Sequence, residues 1–517
     1  MPISNAIYEE DSLVTMSGNF SRNLIQPEAM PLLVRISEFM AEQKILAYLV
    51  GGFVRDALLG RVTADIDIAV NTKALVIAQQ LADSLSGKFV LLDEVNEVGR
   101  VVLKDWVIDI ASFIGKIKDD LKRRDFTVDA MAIDLNQIIG DNPVLALIDP
   151  FGGQTDLDRG LLRIVAKTAF EADPVRLLRV VRLATELGFS IDGKTETEVR
   201  SSAHLLVGVP GERVREEFLR LLECSRGGQF LVYLDELGLL TEIIPELAHE
   251  KGVEQPQEHR WDVFEHSINA VSAVDFILHQ GIWEYQTGEI LAVVPWPSFM
   301  AQYFDQKVSS NSTRRSLLKL AALLHDIAKP QLKFFEEDGR MRFLGHPEEG
   351  AVVTEMILGR LRFSTKEIKM VSTIVKCHHR PTQMSQDELP SKRAIYRYVR
   401  DVGEVAIDTL YFSLADHLAT RGPGLLIPHW QWHANVVEHV LKEHVQQESI
   451  VPSPKLIDGN DLIDIFGMKP GPRIGELLEQ VRESQASGEL TTREESLDYI
   501  RNILLTEGKN KWQKETR

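Results

Sequence analysis

A chain of 517 residues, 44% hydrophobic and 26% charged, exceeds what a single core organises, so roughly two to four soluble domains are expected. The formal net charge of −18 argues against a protein that coats nucleic acid by general phosphate neutralisation, and restricts any RNA contact to a local patch. Cys224 and Cys377 are too few for a disulfide framework, no apolar run is long enough to span a bilayer, and the N-terminal MPISNAIYEEDS lacks the basic-then-apolar order of a signal peptide, so a cytoplasmic protein is expected.

Residues 1–28 are polar and aperiodic and are expected to form a flexible tail. From Met30 the pattern changes. PLLVRISEFMAEQ has helical spacing, KILAYLV reads as a buried strand, and Gly51 and Gly52 open a turn into the helix FVRDALLG. ADIDIAV is another strand, ALVIAQQLADSLSG a helix, and KFVLLDE, GRVVLKD and WVIDIASF are further strands; together they predict a mixed α/β domain over 29–160. Beyond DPFGGQTDLDRG the apolar residues recur at helical spacing. This predicts an all-α remainder, with a neck over 161–250, a helical domain over 255–425 and a helical tail over 426–517. The aromatic-rich stretch at about 281–312 breaks that run and is expected to be an insertion or long loop.

Asp65 and Asp67 lie two apart in a strand, so both side chains leave one face. Asp109, in WVIDIASF, is expected to bring a third carboxylate to the same place. Oxygen ligands grouped in this way suit Mg²⁺, which keeps its waters and accepts phosphate oxygens. Two such ions activate an attacking hydroxyl and stabilise a departing pyrophosphate. Gly51 and Gly52 stand before a helix N-terminus, where backbone N–H groups can approach a phosphate, and Arg55 adds a charge-assisted contact one turn in. A D-x-D pair alone is common. Strand, paired glycines, a helix with Arg55 and Asp56, then D-x-D is an order that chance seldom supplies.

LVGGFVRDALLG with DIDIAV, then RRDFTVDAMAIDL, DPFGGQTDLDRGLLRIV and FEADPVRLLRVVRLATELGF resemble, in order, the motifs of the bacterial tRNA nucleotidyltransferase and poly(A) polymerase family. The resemblance implies a polymerase-β-like nucleotidyltransferase head that adds CMP or AMP from CTP or ATP to a tRNA or other RNA 3′ end without a template. It implies catalytic roles for Asp65, Asp67 and Asp109, and nucleotide contacts from Gly51, Gly52, Arg55, Asp56, Arg123, Arg124 and Asp125. In DPVRLLRVVRL, Asp173 is expected as an N-cap, with Arg176, Arg179 and Arg182 recurring every three residues. Cytosine and adenine each present an amino donor beside a ring-nitrogen acceptor, which one carboxylate and one guanidinium satisfy; uracil and guanine invert that order. The resemblance gives this base-reading role to Asp173 and Arg176, with Arg179 and Arg182 facing phosphates or bracing the pair.

Three departures from the family pattern stand out. Ala172 replaces the usual Glu before Asp173, with Glu171 one place earlier; Asp129 stands where Asn is common; and only residues 110–122 separate Asp109 from Arg123. In the family, a connection this short is associated with members that add only the two cytidines. Poly(A) polymerase activity is the alternative within the class.

His266, the His325-Asp326 dipeptide, His346, the His378-His379 station with His379 taken as the ligand, and Asp416 lie on or beside apolar helices. Imidazoles with carboxylates are an ordinary ligand set for divalent metals. Their order resembles the HD phosphohydrolase superfamily, which implies an HD domain holding a divalent ion of unspecified identity and, in related enzymes, phosphohydrolase action on RNA 3′ ends. A metal-dependent phosphohydrolase with a nucleotide-binding head is therefore the alternative of another class. The resemblance also makes the tail an RNA-binding element; no membrane and no obligate protein partner are implied.

Overall fold

Strands of three to six residues build the head: β1 (Ser17–Ser21), β2 (Ala47–Val50), β3 (Asp65–Val70), β4 (Lys88–Asp93), β5 (Val98–Val102), β6 (Val107–Ser112), β7 (Ala132–Asp134) and β8 (Val144–Ile148). They join one sheet in the order β1-β8-β7-β2-β3-β6-β5-β4. β3 and β6 run parallel, and the other neighbours are antiparallel. Ile66, Ile68, Ile108 and Ile110 point to the buried face, where the helix Ala74–Leu85 covers β5 and β6 with Ile77 and Leu81. The period of two then sends Asp65, Asp67 and Asp109 to the opposite face.

The computed structural model describes residues 17–140, 142–285, 288–309, 311–384, 388–449 and 455–515. The chain divides into two units, Met1–Glu217 with Leu234–Ile243, and Phe218–Tyr233 with Ile244–Arg517.

The expectation of a flexible tail over 1–28 is corrected for its described part. Ser17–Ser21 pairs with β8 along its whole length, Phe20 is completely buried and Ile25 nearly so; residues 1–16 lie outside the described residues. Polar Ser and Asn dominate SGNFS, so one inward Phe carries a strand that composition hides. β7 and β8 also escaped the periodicity reading, β7 because three residues are too few to show alternation.

In the second unit, Val263–Ile277 and Ala406–Arg421 are buried almost all round, as helices enclosed by others must be. Arg314–Leu324, His346–Arg360 and Thr365–Cys377 pack with them. The aromatic stretch carries two short helices, Gly288–Ala292 and Met300–Phe304, and is folded inward: Trp283 and Phe304 are buried, and Trp430 Nε1 donates to the carbonyl of Ile290 at 2.9 Å. Near the C-terminus, Arg397 and Arg400 on Lys392–Val402 bind Glu483 on Pro472–Ala486 at 2.7 and 3.0 Å, beside a small core of Leu462, Leu477, Val481 and Ile500. Among the described residues no helix is long and apolar enough to cross a membrane.

Candidate functional site

Gly51 has φ +65, a conformation that glycine adopts without strain, and a Cβ there would stand 2.8 Å from Arg124 Nη1 and 3.0 Å from Asp67 Oδ2. This bare corner lets the Gly52 amide donate to Asp67 Oδ2 at 3.1 Å, tying the turn after β2 to β3. Asp67 and Asp109 are register partners across the parallel β3–β6 pair, and Asp65 is exposed two residues earlier on the same face. Burial, with Asp109 and Asp129 near, pushes the Asp67 carboxyl up to about 6 against the pull of Arg124. That is the signature of grouped carboxylates short of positive charge, and the donor set fits a divalent cation with oxygen preference.

Asp109 stands beside Asp67 and also carries a protein partner. Arg100 on β5 donates to both of its oxygens, Nε to Oδ1 at 2.7 Å and Nη2 to Oδ2 at 2.8 Å. Among the described residues, the sets whose ligand atoms lie within 4.8 Å of one another are all in the second unit. Arg55 and Asp56 hold each other at 3.0 and 3.1 Å, and Arg55 Nη1 reaches Asp129 at 2.6 Å.

Arg123 and Arg124 share Asp120, at 2.9 and 3.4 Å, and Arg123 remains largely exposed. Asp125 is buried and bonded to Arg179 Nε at 3.0 Å; burial opposes its ionisation, but Arg179 and Arg176 hold the carboxyl below its ordinary value. Arg176 donates to the carbonyl of Ala169 at 3.3 Å and to that of Arg123 at 3.0 Å. Asp173 is not the N-cap. It ends the short helix Ala169–Ala172, and Pro174 separates it from the Val175 cap of Arg176–Leu187. Its Oδ2 accepts from Arg213 Nη2 at 2.8 Å. Of the two roles expected for Arg182, its contacts match bracing and not a phosphate contact. The three-residue spacing drifts around the helix, so this side chain faces the interior, where Glu217 (2.6 Å) and Glu186 (2.8 Å) consume its guanidinium.

The second unit gathers the predicted histidines. His266 Nε2 lies 3.1 Å from His325 Nε2 and 3.1 Å from Asp416 Oδ1; His325 Nε2 is 3.1 Å from Asp326 Oδ2, and His346 Nε2 is 3.3 Å from Asp326 Oδ1. Two ligand sets converge, His266 with His325 and Asp416, and His346 with His378 and His379. His378 is therefore an addition to the expected set. The Nδ1 atoms of His325, His346 and His378 each face the carbonyl three residues earlier, of Ala322, Phe343 and Val375, at 2.8, 2.7 and 2.6 Å. Donation there leaves the Nε2 lone pairs turned inward for a metal. The Nε2 atom of His378 is buried without a hydrogen-bond partner, which a divalent ion would satisfy. Burial lowers the proton affinity of His266, His378 and His379, keeping them neutral as ligands. Burial also resists ionisation of Asp326 and Asp416, yet the neighbouring histidines, with Lys329 beside Asp326, hold both far below the usual carboxylate range.

Arg100, Asp120, Arg213 and Lys329 also belong to these sites and carry no motif of their own. Arg100 and Arg213 are identified only by the acid each meets through tertiary pairing, whereas Asp120 and Lys329 meet partners three or four residues away.

Residues 47–163 match the family model described as Poly A polymerase head domain, 188–251 "Probable RNA and SrmB- binding site of polymerase A", 298–421 the HD domain, and 427–500 the tRNA nucleotidyltransferase domain 2 putative. The fold and these matches define a nucleotidyltransferase with a polymerase head and an HD domain. The A-adding tRNA nucleotidyltransferase of Deinococcus radiodurans is 33% identical over 88% of this chain and 94% of its own; the CC-adding tRNA nucleotidyltransferase of Thermus thermophilus is 31% identical over 88% and 93%. The chain belongs to the tRNA nucleotidyltransferase family. A solved structure of the Thermotoga maritima CCA-adding enzyme complexed with tRNA, 23% identical with a TM-score of 0.57 over 94% of this chain and 99% of that one, shares the fold.

Proposed function

We propose that this enzyme rebuilds tRNA 3′ ends without a template, transferring CMP or AMP from CTP or ATP to the terminal hydroxyl. The observation that carries the reading is the bond from Arg176 to the Arg123 carbonyl, which couples the base-reading helix to the RRD motif at the head. Asp65 and Asp67 are the residues that would hold Mg²⁺; such ions, when bound, activate the attacking hydroxyl and neutralise the departing pyrophosphate. Asp109, paired with Arg100, supplies supporting negative charge beside Asp67. The exposed Arg123 and the Gly51–Gly52 corner offer cationic and backbone donors to the triphosphate. Asp173 accepts from the amino group of C or A and Arg176 donates to the adjacent ring nitrogen. The histidine centre would hold a divalent ion serving phosphohydrolysis at phosphorylated RNA ends. A tRNA substrate puts the reaction in the cytoplasm.

The end product divides the relatives, which are named A-adding, CC-adding and CCA-adding. Only Phe113, Ile114, Gly115 and Lys116 join β6 to the helix Ile117–Lys122, and this short connection favours addition of the two cytidines alone. The test is incorporation by purified protein on tRNA lacking CCA and on tRNA ending in CC, with each NTP singly. One or two C on the first and no A on the second supports CC addition. Growth of the second by one A indicates terminal A addition, and long A tails overturn the tRNA reading.

A further inference from the structure

The histidine centre reaches solvent through one of its carboxylates. In the set of His266, His325 and Asp416, the Asp416 side chain is 20% exposed and each histidine 1%. Beside Asp416 lies a cavity of about 450 Å³, large enough for a nucleotide, lined by His259, Arg260 and Arg421 with Gln257 and Glu258. The His259 ring meets that of His266 edge-on, with centroids 5.4 Å apart. Arg421 ends the helix Ala406–Arg421 that carries Asp416. Thr420 joins the two sides: its Oγ1 donates to Asp416 Oδ1 at 3.5 Å, and its carbonyl accepts from the Arg260 amide at 3.1 Å. Trp261 presses on Gly422, which has φ +50 and no room for a Cβ, so the segments bearing the two arginines are fixed against each other. Neither guanidinium has a hydrogen-bond or ion-pair partner among the described residues, and Glu258 pairs with neither. Elsewhere in the unit Arg314, Arg315 and Lys319 are neutralised by Asp408, Asp305 and Asp275. Two unneutralised guanidiniums in one cavity repel each other, and a phosphate relieves that with charge-assisted bonds.

Resting on the reading of the histidine centre as a phosphohydrolase of RNA ends, we infer that Arg260 and Arg421 form a separate phosphate subsite. It takes the phosphodiester next to the terminal phosphate and so selects a phosphorylated RNA end over a mononucleotide. The reacting phosphate belongs at the metal ligands themselves. His259 touches a ligand on one side and the cavity on the other, and Thr420 bridges Asp416 to Arg260, so the guanidiniums stand one side chain away from the reacting position. Arg421 lies five residues beyond Asp416, about 7–8 Å further along the helix axis, a step comparable to that between successive phosphates of an extended RNA strand. Arginine suits this role because its planar fork bonds two phosphate oxygens at once. A mononucleotide has no second phosphate and leaves both arginines unanswered.

The test uses the full-length protein with two probes, a ribodinucleotide ending in a 3′-phosphate and a nucleoside 3′-monophosphate. Wild type is compared with the double variants Arg260→Gln with Arg421→Gln, and Arg260→Lys with Arg421→Lys. Binding of each probe is first measured in chelator, without metal. The glutamine pair is expected to weaken dinucleotide binding tenfold or more and to lower the slope of log Kd against log salt by about 0.7, the value for one phosphate of a single strand. A loss of packing alone would leave that slope unchanged. The lysine pair, which keeps the charge, should restore the slope and part of the affinity. Phosphate release is then followed in Mg²⁺, Mn²⁺ or Ni²⁺. There the glutamine pair should lower the kcat/KM preference for the dinucleotide tenfold or more, through KM. If the glutamine pair binds the dinucleotide within twofold of wild type, or loses both probes equally, the subsite is wrong. If wild type releases phosphate from neither probe while the binding difference persists, the phosphohydrolase reading fails and the phosphate subsite stands.

Discussion

Asp67, a proposed metal ligand, carries a titration that tests the head site. Its folded-state value of about 6 lies above the ordinary carboxylate value, so proton binding favours the folded, metal-free protein: this stabilising increment is full below about pH 4 and lost as pH rises through about 6. Replacing Asp67 with Asn removes the titration. In metal-free buffer the wild type should lose more melting temperature than Asp67→Asn between pH 5 and pH 7.5, and Mg²⁺ should raise the wild-type melting temperature more at pH 7.5 than at pH 5, because the proton competes with the cation. A pH-independent difference between the two proteins would contradict this. Asp67→Asn should also lower CMP or AMP incorporation by about 10³-fold or more, the scale expected when an oxygen ligand of a two-ion site is lost. Much of this site is readable from spacing, since D-x-D in a strand can only place its carboxylates on one face. Arg100 is not readable, because its encounter with Asp109 depends on β5 pairing antiparallel with β6. Nor is Arg213, whose partner lies in a different helix.

The junction of β2 and the helix Gly51–Leu58 leaves little room for a side chain at its first residue. A methyl group at Gly51 meets Arg124 and Asp67, and positive φ adds backbone strain of about 1–3 kcal/mol for a residue with a side chain. Gly51→Ala should therefore melt slightly earlier and lose most nucleotide incorporation, measured side by side; unchanged activity would mean the corner is wider than the geometry allows. At the sheet edge, Phe20→Ala empties a fully buried site and should cost about 3–5 kcal/mol in chemical denaturation. If its cost falls below about 1 kcal/mol, β1 is not part of the cooperative head. Helices and central strands are legible because their apolar periodicity runs for several turns or pleats. β1 is not, because SGNFS holds a single large apolar residue and draws its stability from a partner strand more than a hundred residues away.

Across the whole molecule, the two proposed metal sites differ in their donors: oxygen alone in the head, nitrogen with oxygen in the helical unit. A double variant, His266→Ala with Asp416→Ala, should reduce the tightly bound metal found by elemental analysis and abolish the chelator-induced fall in melting temperature, while CTP incorporation in added Mg²⁺ stays within threefold of wild type. Loss of incorporation in a variant that keeps its melting temperature would contradict that separation. The pairing of β1 with β8 has a further consequence during synthesis. Ser17–Ser21 leaves the ribosome before every other strand of the head sheet, yet the strand that receives it, Val144–Ile148, is the last of the sheet to be made. The nascent chain must carry Phe20 unpaired through the synthesis of every other strand, and closing so distant a contact is slow. Completion of the head is thus timed by its final strand, and a pause in translation shortly after Ile148 would give the edge time to close before the helical half emerges.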